Sequence, residues 1–340
     1  MGFLAHSDFP RQVVAELTAA CNQKCIFCGR NYMQRVKKTM PHEIFLKIAR
    51  EIATESPYTE FWPTFMGEAL LLKGTAFTLI KQAKEIGCRK ITLNTNGSLL
   101  DDRLVEMIID SQLDRFIVSM DALTEATHTK VRPAVNPGKN AEFFCRMREG
   151  TERLLETVRE RNLAKPLVEV QFSVFDENEH ERDAFRAYWL QKGAVVKERP
   201  KLLWSGQVPF NASEAFFKGK AEGGIGDMNR SSERIPCKWS LETCGIYWDG
   251  TFAVCVVDCA GVGAAYVKAN VQNATIKEVW NGRLKELRKI HLEKRFAELP
   301  QPCRDCPDWQ TKRSVAYFPS VAIKQNYEAY INLGLTTTDY

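Results

Sequence analysis

Three cysteines stand close together in the stretch "AELTAACNQKCIFCGRNYM", at Cys21, Cys25 and Cys28. The spacing C-x3-C-x2-C gathers three soft thiolate donors and stops one ligand short of a tetrahedral site. Such donors suit iron–sulfur clusters or zinc. Zinc needs a fourth protein ligand, and none of His6, His42, His128, His180 and His291 stands at zinc-finger spacing from these thiols. A four-iron cubane held by three cysteines instead leaves one iron open to an outside ligand, so the missing corner is where chemistry would occur. A second set, Cys237, Cys244, Cys255, Cys259, Cys303 and Cys306, lies toward the C-terminus. Cys88 and Cys145 stand alone and read as small core hydrophobes. Eleven cysteines in a chain without a signal-peptide pattern point to metal or redox ligands more than to disulfides.

The chain that must position these thiols has 340 residues, 44% hydrophobic and 26% charged, with a formal net charge of +5. That composition fits a soluble globular protein of one large domain or a domain plus a small module. No apolar run approaches the roughly 20 residues of a membrane span. The start "MGFLAHSDFPRQ" has no basic region ahead of an apolar core, so the cytoplasm is the expected compartment. Lysine and arginine are dispersed without a continuous stripe, which argues against nucleic acid and fits a small, anionic substrate.

Apolar periodicity predicts six strands, "QVVAEL", "YTEFWPTFMGEALL", "KITLNTNGSLL", "DRFIVSMDA", "LVEVQFSVF" and "AVVKERPKLLW". Between them lie five helices, among them "HEIFLKIAREIA" with Ile44, Phe45, Ile48 and Ile52 on one face. A long helix follows the fourth strand, with Phe144, Met147, Thr151, Leu154 and Val158 facing inward. This alternation implies a parallel sheet of βαβ units. Six units are too few for a closed eight-stranded barrel, so a partial (β/α)6 TIM-like barrel is expected, with its site at the C-terminal strand ends. The unusual motifs all fall there: Cys21 to Cys28 after strand 1, "MGEALL" after strand 2, "NTNG" after strand 3, "SMD" after strand 4, and Gln171 and Ser173 on strand 5.

C-x3-C-x2-C with Phe27 before the last cysteine resembles the radical S-adenosylmethionine (radical SAM) superfamily, over Val13 to about Trp204. "MGEALL" is similar to the family's Gly-Glu-Pro motif, with Ala69 in place of proline, and "TNGSLL" and "VSMDALTE...KVRP" are similar to its strand-3 and strand-4 signatures. The resemblance implies that Cys21, Cys25 and Cys28 hold a 4Fe–4S cluster whose open iron is chelated by SAM. One electron then cleaves the sulfonium, and a 5′-deoxyadenosyl radical abstracts a substrate hydrogen. It also implies contacts of Phe27 with adenine and of Gly67 and Glu68 with the methionine ammonium. Asn96, Ser119 and Arg132 are implied for the ribose or carboxylate, and a flavodoxin or ferredoxin for the reductant.

From Pro236 to Trp309 the order is Cys237, the hairpin "GIYWDGTFAVC", the helical stretch "NATIKEVWNGRLKELRKIHLEKR" and "CRDC". This resembles the SPASM/twitch auxiliary-cluster module, a small α+β unit. The resemblance implies one auxiliary 4Fe–4S cluster on Cys237, Cys255, Cys303 and Cys306; a zinc ribbon is the alternative on spacing alone. Asp308, Trp309, Gln310 and Lys312 follow where two-cluster members have more cysteines. Cys244 and Cys259 are left over, either as packing or, for Cys244 at the barrel mouth, as a hydrogen donor. The expected organisation is a barrel over 1–205, a linker over 206–235, the module over 236–312, and a tail over 313–340 folding back on the barrel. That tail carries Tyr317, Tyr327, Tyr330 and Tyr340.

Three functions compete. The first is a radical enzyme acting on a sugar, aminocyclitol or nucleoside, by dehydrogenation, epimerisation, decarboxylation or carbon–carbon bond formation. The second is a radical enzyme modifying a ribosomally made peptide; the third is a non-catalytic iron–sulfur or zinc protein. A single auxiliary cluster, and a first strand too near the start to leave room for a peptide-recognition domain, favour the first.

Overall fold

The computed structural model describes residues 7–205, 234–309 and 315–320. Up to Pro200, strands and helices alternate: β1 (Gln12–Ala15), α1 (His42–Glu55), β2 (Glu60–Trp62), α2 (Gly74–Ile86), β3 (Lys90–Thr95), α3 (Asp102–Asp110), β4 (Arg115–Ser119), α4 (Glu125–Val131), α5 (Asn140–Glu160), β5 (Leu167–Val174), α6 (Arg182–Lys192) and β6 (Val195–Pro200). The six strands pair in chain order, every pair parallel. The apolar stripes bury as expected: Ile44, Phe45, Ile48 and Ile52 of α1 are all in the core. Side chains end the helices locally. Asp101 caps α3 by accepting from the Leu104 amide at 2.8 Å, and Gly193 stops α6 in the left-handed conformation at φ 96°.

Two details differ from the sequence reading. The short α4, capped by Thr124, has too few apolar residues to show a period. Cys145 is exposed, not core: one position past Phe144 on α5, it points to the opposite flank from the buried Phe144 and Met147.

The C-terminal part contributes α7 (Lys238–Glu242), β7 (Thr243–Ile246), β8 (Phe252–Ala253), α8 (Ala264–Val267), α9 (Ile276–Asn281), α10 (Arg283–Leu292) and β9 (Ala316–Phe318). The stretch expected as one helix is two, divided at Gly282. Rather than forming a separate sheet, the hairpin extends the barrel's: β7 runs parallel to β1, with Val13 opposite Cys244, and β8 turns back antiparallel. At the other edge β9 pairs antiparallel with β6. Both edges of the six-stranded sheet are thereby covered, which removes unpaired backbone groups that would otherwise template aggregation. One continuous core runs from Phe45, Phe61 and Phe116 under the barrel helices to Ile246, Phe252 and Trp280.

The sheet curls. Gln12, Trp62, Asn94, Ser119, Gln171, Lys197 and Tyr317, from β1 to β6 and β9, all line one cavity, which a flat sheet could not arrange. Among the described residues no helix is long and apolar enough to cross a membrane. Most of the expected linker, 206–233, and the tail with Tyr327, Tyr330 and Tyr340 lie outside the described residues.

Candidate active site

The segment after β1 lies across the C-terminal strand ends, and backbone hydrogen bonds hold it there. Glu68 donates its amide to Ala20 at 2.8 Å, Lys24 to Pro133 at 2.8 Å, and Ile26 to Val131 at 3.1 Å. Within it, the Cys28 amide bonds the Cys25 carbonyl at 3.1 Å, so the second and third thiols share one turn. Burial pushes the thiols of Cys21 and Cys25 up to about 12 and that of Cys28 to about 11, and each is raised further by a neighbouring cysteine of the set.

Donors are nevertheless aimed at the sulfurs. Arg132 directs Nη1 at Cys25 Sγ, 3.6 Å away, and Asn96 directs Nδ2 at Cys21 Sγ, 3.9 Å away. Donors of this kind favour thiolate over thiol, the form in which cysteine binds a metal. Three clustered thiols with cationic and amide donors behind them fit an iron–sulfur cluster. Among the described residues no group of three His, Cys, Asp or Glu is arranged to hold a single ion.

The residues around the thiols are mostly engaged with one another. Gly67 has φ +85°, and a Cβ there would lie 2.2 Å from the Thr18 carbonyl oxygen, so only glycine fits where the chain passes beneath the loop. The Glu68 carboxylate is fully bonded: Oε1 accepts from the Leu70 amide at 2.9 Å and the Thr95 hydroxyl at 2.6 Å, and Oε2 from the Asn96 amide at 2.6 Å. It clamps the ends of β2 and β3 together. Burial raises its pKa, which these three donors oppose. Asn96 accepts from the Ser98 amide at 2.9 Å and donates to Asn22 at 2.9 Å. Ser119 donates to Asn94 Oδ1 at 2.9 Å and accepts from Gln171 at 3.1 Å.

Arg132 binds Asp121 through Nε at 2.8 Å and through Nη2, and its guanidinium lies 5.2 Å over the Phe27 ring. Burial alone would lower its pKa, but Asp121 and the Cys25 thiol hold it above the ordinary value. A cation so fixed would stabilise the more negative, reduced state of a cluster bound through Cys25. Arg132→Met is therefore expected to make the midpoint potential of that cluster more negative by roughly 60 mV, the one-electron equivalent of a charged hydrogen bond. An EPR-monitored redox titration reads this directly; an unchanged potential would mean that the guanidinium serves only Asp121.

Cys21, Cys25, Phe27, Cys28, Gly67, Glu68, Asn96, Ser119 and Arg132 all line the same cavity of about 700 Å³. Trp204 lines it at the mouth, and it continues down the barrel to Trp62, Arg115, Lys197 and Arg199, which the motifs do not single out, and to Tyr317 of the tail, on β9. Trp204 donates its indole N–H to the Phe27 carbonyl at 2.9 Å. The signal for Lys197 and Arg199 is in "VVKERP", where the two cations stand two apart and so share one face of a strand.

The second thiol set forms where α7 begins, after β8, and in the turn before Asp308. Cys255 and Cys303 are raised well above the ordinary thiol value and Cys306 to about 12, in each case first by burial and in part by the other cysteines of the four, Cys237 included. The Asp308 amide donates to Cys306 Sγ at 3.3 Å. Three buried thiols and the half-buried Cys306 acting on one another, with a backbone donor to sulfur, fit a four-cysteine cluster.

The leftover cysteines exchange places relative to expectation. Gln12 and Val14 of β1 line the cavity, so Val13 and its register partner Cys244 point the other way. Cys244 is wholly buried in the main core, and a thiol there offers no hydrogen to a substrate in the barrel. Cys259 instead packs with Ala19, Met33 and Met66 against Cys28 and Trp204, beside the first thiol set.

Comparison with known proteins agrees with this geometry. The family model described as the Radical SAM superfamily matches residues 15–186, and one described as an iron–sulfur cluster-binding domain matches residues 237–307. A probable GTP 3′,8-cyclase of Methanothermobacter marburgensis is 30% identical over 36% of this chain and 40% of its own length. A tungsten-containing aldehyde ferredoxin oxidoreductase cofactor-modifying protein of Pyrococcus furiosus is 23% identical over 52% and 48%. The chain thus spans half or less of these relatives' length.

Among solved structures, BtrN in complex with AdoMet and 2-DOIA superposes with a TM-score of 0.57 at 14% identity, covering 87% of this chain and 92% of that one. Streptococcus suis SuiB bound to its precursor peptide SuiA gives 0.62 at 12% identity over 83% and 67%. At such identities they show the shared fold. With the family model spanning half the chain and the thiols gathered as described, this protein belongs to the radical SAM superfamily, carries a C-terminal SPASM-type module, and has the 4Fe–4S clusters and S-adenosylmethionine of those modules as its cofactors.

Proposed function

We propose that Cys21, Cys25 and Cys28 hold the SAM-binding 4Fe–4S cluster, that Cys237, Cys255, Cys303 and Cys306 hold a single auxiliary one, and that the substrate is a small sugar-, aminocyclitol- or nucleoside-like molecule. The observation that carries this reading is the cavity, which joins the three thiols to a barrel interior lined with hydroxyl, amide and charged groups. When bound, the cluster and SAM supply a primary carbon radical able to take a hydrogen atom from an unactivated carbon. The chain's own residues bind and shield. Gly67 lets the chain after β2 pass close beneath the thiol-bearing loop, Ser119 and Asn96 present polar groups at the strand ends, and Phe27 and Trp204 exclude water from the mouth. Cys237, Cys255, Cys303 and Cys306 would leave the auxiliary cluster no open iron, which suits electron transfer better than substrate ligation. A flavodoxin- or ferredoxin-like protein is the proposed reductant.

A small-molecule substrate is supported by a cavity of about 700 Å³, within the usual size range of ligand pockets. The test is to give reconstituted enzyme perdeuterated polyols, aminocyclitols, nucleosides and precursor peptides, and to follow deuterium into 5′-deoxyadenosine. Transfer from a small polyhydroxylated compound is the expected result; transfer from peptide alone would overturn this reading.

A further inference from the structure

Five arginines line the cavity, and Arg115, Arg132 and Arg199 among them are not alike. Arg132 is held by Asp121. Arg115 donates Nη2 to Glu60 at 2.8 Å and lies 3.6 Å from Glu169. Burial opposes the charge of both, but their carboxylate neighbours keep them above the ordinary pKa. Arg199 has no such partner. Its Nε donates to the Ser173 hydroxyl at 3.1 Å, and among the described residues no carboxylate stands within ion-pair distance of it. The two carboxylates that act on it from farther away have other partners. Asp121 binds Arg132 and the Ser173 amide, and Asp308 accepts from the amides of Leu203 and Ser205, each at 2.8 Å. Burial accordingly wins, and the pKa of Arg199 is lowered.

Two residues earlier on β6, and so on the same face, Lys197 also lines the cavity. Its ion pair is with Glu169 at 3.5 Å, a carboxylate shared with Arg115 and accepting no hydrogen bond from either. Burial brings Lys197 down to about 8 despite Glu169. Its ammonium lies 5.6 Å from the Trp62 ring and 5.7 Å from that of Tyr317, so the space before it is walled by aromatic faces. Arg115 and Lys197 thus divide Glu60 and Glu169 between them, and Arg199 is left with only the more distant Asp121 and Asp308. A charge out of water without a close counter-ion is costly, and an anion placed between Arg199 and Lys197 would relieve it.

We propose that Arg199 and Lys197 form a seat for an anionic group of the substrate, a carboxylate or a phosphate, so that the barrel takes an anion and not a neutral polyol. This rests on the reading of the cavity as the substrate site. The test does not depend on turnover, so its failure and a failure of SAM cleavage are distinguishable. The reconstituted, SAM-saturated protein is treated with limiting acetic anhydride, and acetylation of Lys197 is read from its peptide by mass spectrometry. The treatment is repeated at equal ionic strength with orthophosphate, a hexose phosphate or the neutral hexose.

Either phosphate should lower Lys197 labelling at least about fivefold, the neutral hexose should leave it unchanged, and Arg199→Met should lose the protection while Arg199→Lys keeps part of it. Labelling unaffected by both phosphates would overturn the proposal, and so would equal protection by the neutral hexose. If SAM alone gives the full Arg199-dependent protection and phosphate adds none, the seat belongs to the SAM carboxylate and the proposal also fails. The wild-type comparisons decide the matter should the variants fold poorly.

Discussion

Replacing Cys21, Cys25 and Cys28 together by alanine is expected to abolish SAM cleavage while leaving the rest of the molecule folded. The three thiols sit in a loop held by backbone hydrogen bonds to Glu68, Val131 and Pro133, and the main core does not include them. Their removal therefore empties a site without opening a large cavity in the barrel. Iron should fall from about eight to about four per chain, because the four-cysteine set remains. Undiminished 5′-deoxyadenosine formation by this variant would be incompatible with the assignment. Folding lost along with activity would show that the loop is structural, which circular dichroism and gel filtration of the variant would reveal.

The converse variant, Cys303→Ala with Cys306→Ala, should damage structure more. The segment carrying these thiols lies beyond α10 with little regular structure: a short 3-10 turn at Phe296–Glu298 and the Cys303–Cys306 turn. Arg234 holds it by donating Nη2 to the Cys303 carbonyl at 2.6 Å and Asp308 by accepting from the Leu203 and Ser205 amides, and a cluster on the thiols would supply much of the rest. Metal binding in such small modules is folding free energy. We expect about four irons per chain, a fall in Tm of roughly 5 °C or more, and faster proteolysis around residues 296–309. β7 should stay in place, since its register with β1 runs from Gln12–Thr243 to Ala15–Ile246 without any thiol ligand. Cleavage of SAM should persist while conversion of substrate fails. An iron content still near eight would refute the four-cysteine assignment, and stoichiometric zinc in the wild type would favour a ribbon.

Local pattern carried most of the barrel. The six strands and their flanking helices could be read because each buries a stripe of its own period, and the C-x3-C-x2-C spacing lies within one loop. What could not be read depends on contacts between distant residues. Nothing in "ETCGIYWDG" says that Thr243–Ile246 pairs with a strand more than 200 residues earlier, so Cys244 was placed at the barrel mouth when the parallel register turns it into the core. Cys259, close to Cys255 in sequence, packs instead against Cys28, through a crossing no spacing encodes. Glu68 and Arg132 were read by motif as cofactor contacts. The fold shows what their side chains bind first: backbone amides and Thr95 for Glu68, Asp121 and the Cys25 sulfur for Arg132. Cys145 is exposed because burial on a helix turns on one position in the period, and its neighbour Phe144 takes the inward one.

The most direct test of the account is SAM cleavage by the anaerobically reconstituted wild-type chain under a strong one-electron reductant. With about eight irons and eight sulfides bound, the protein should release 5′-deoxyadenosine and methionine from SAM, dependent on the reductant and absent from the Cys21, Cys25 and Cys28 triple variant. A fully loaded protein that binds SAM but releases neither product under reduction would contradict the central claim.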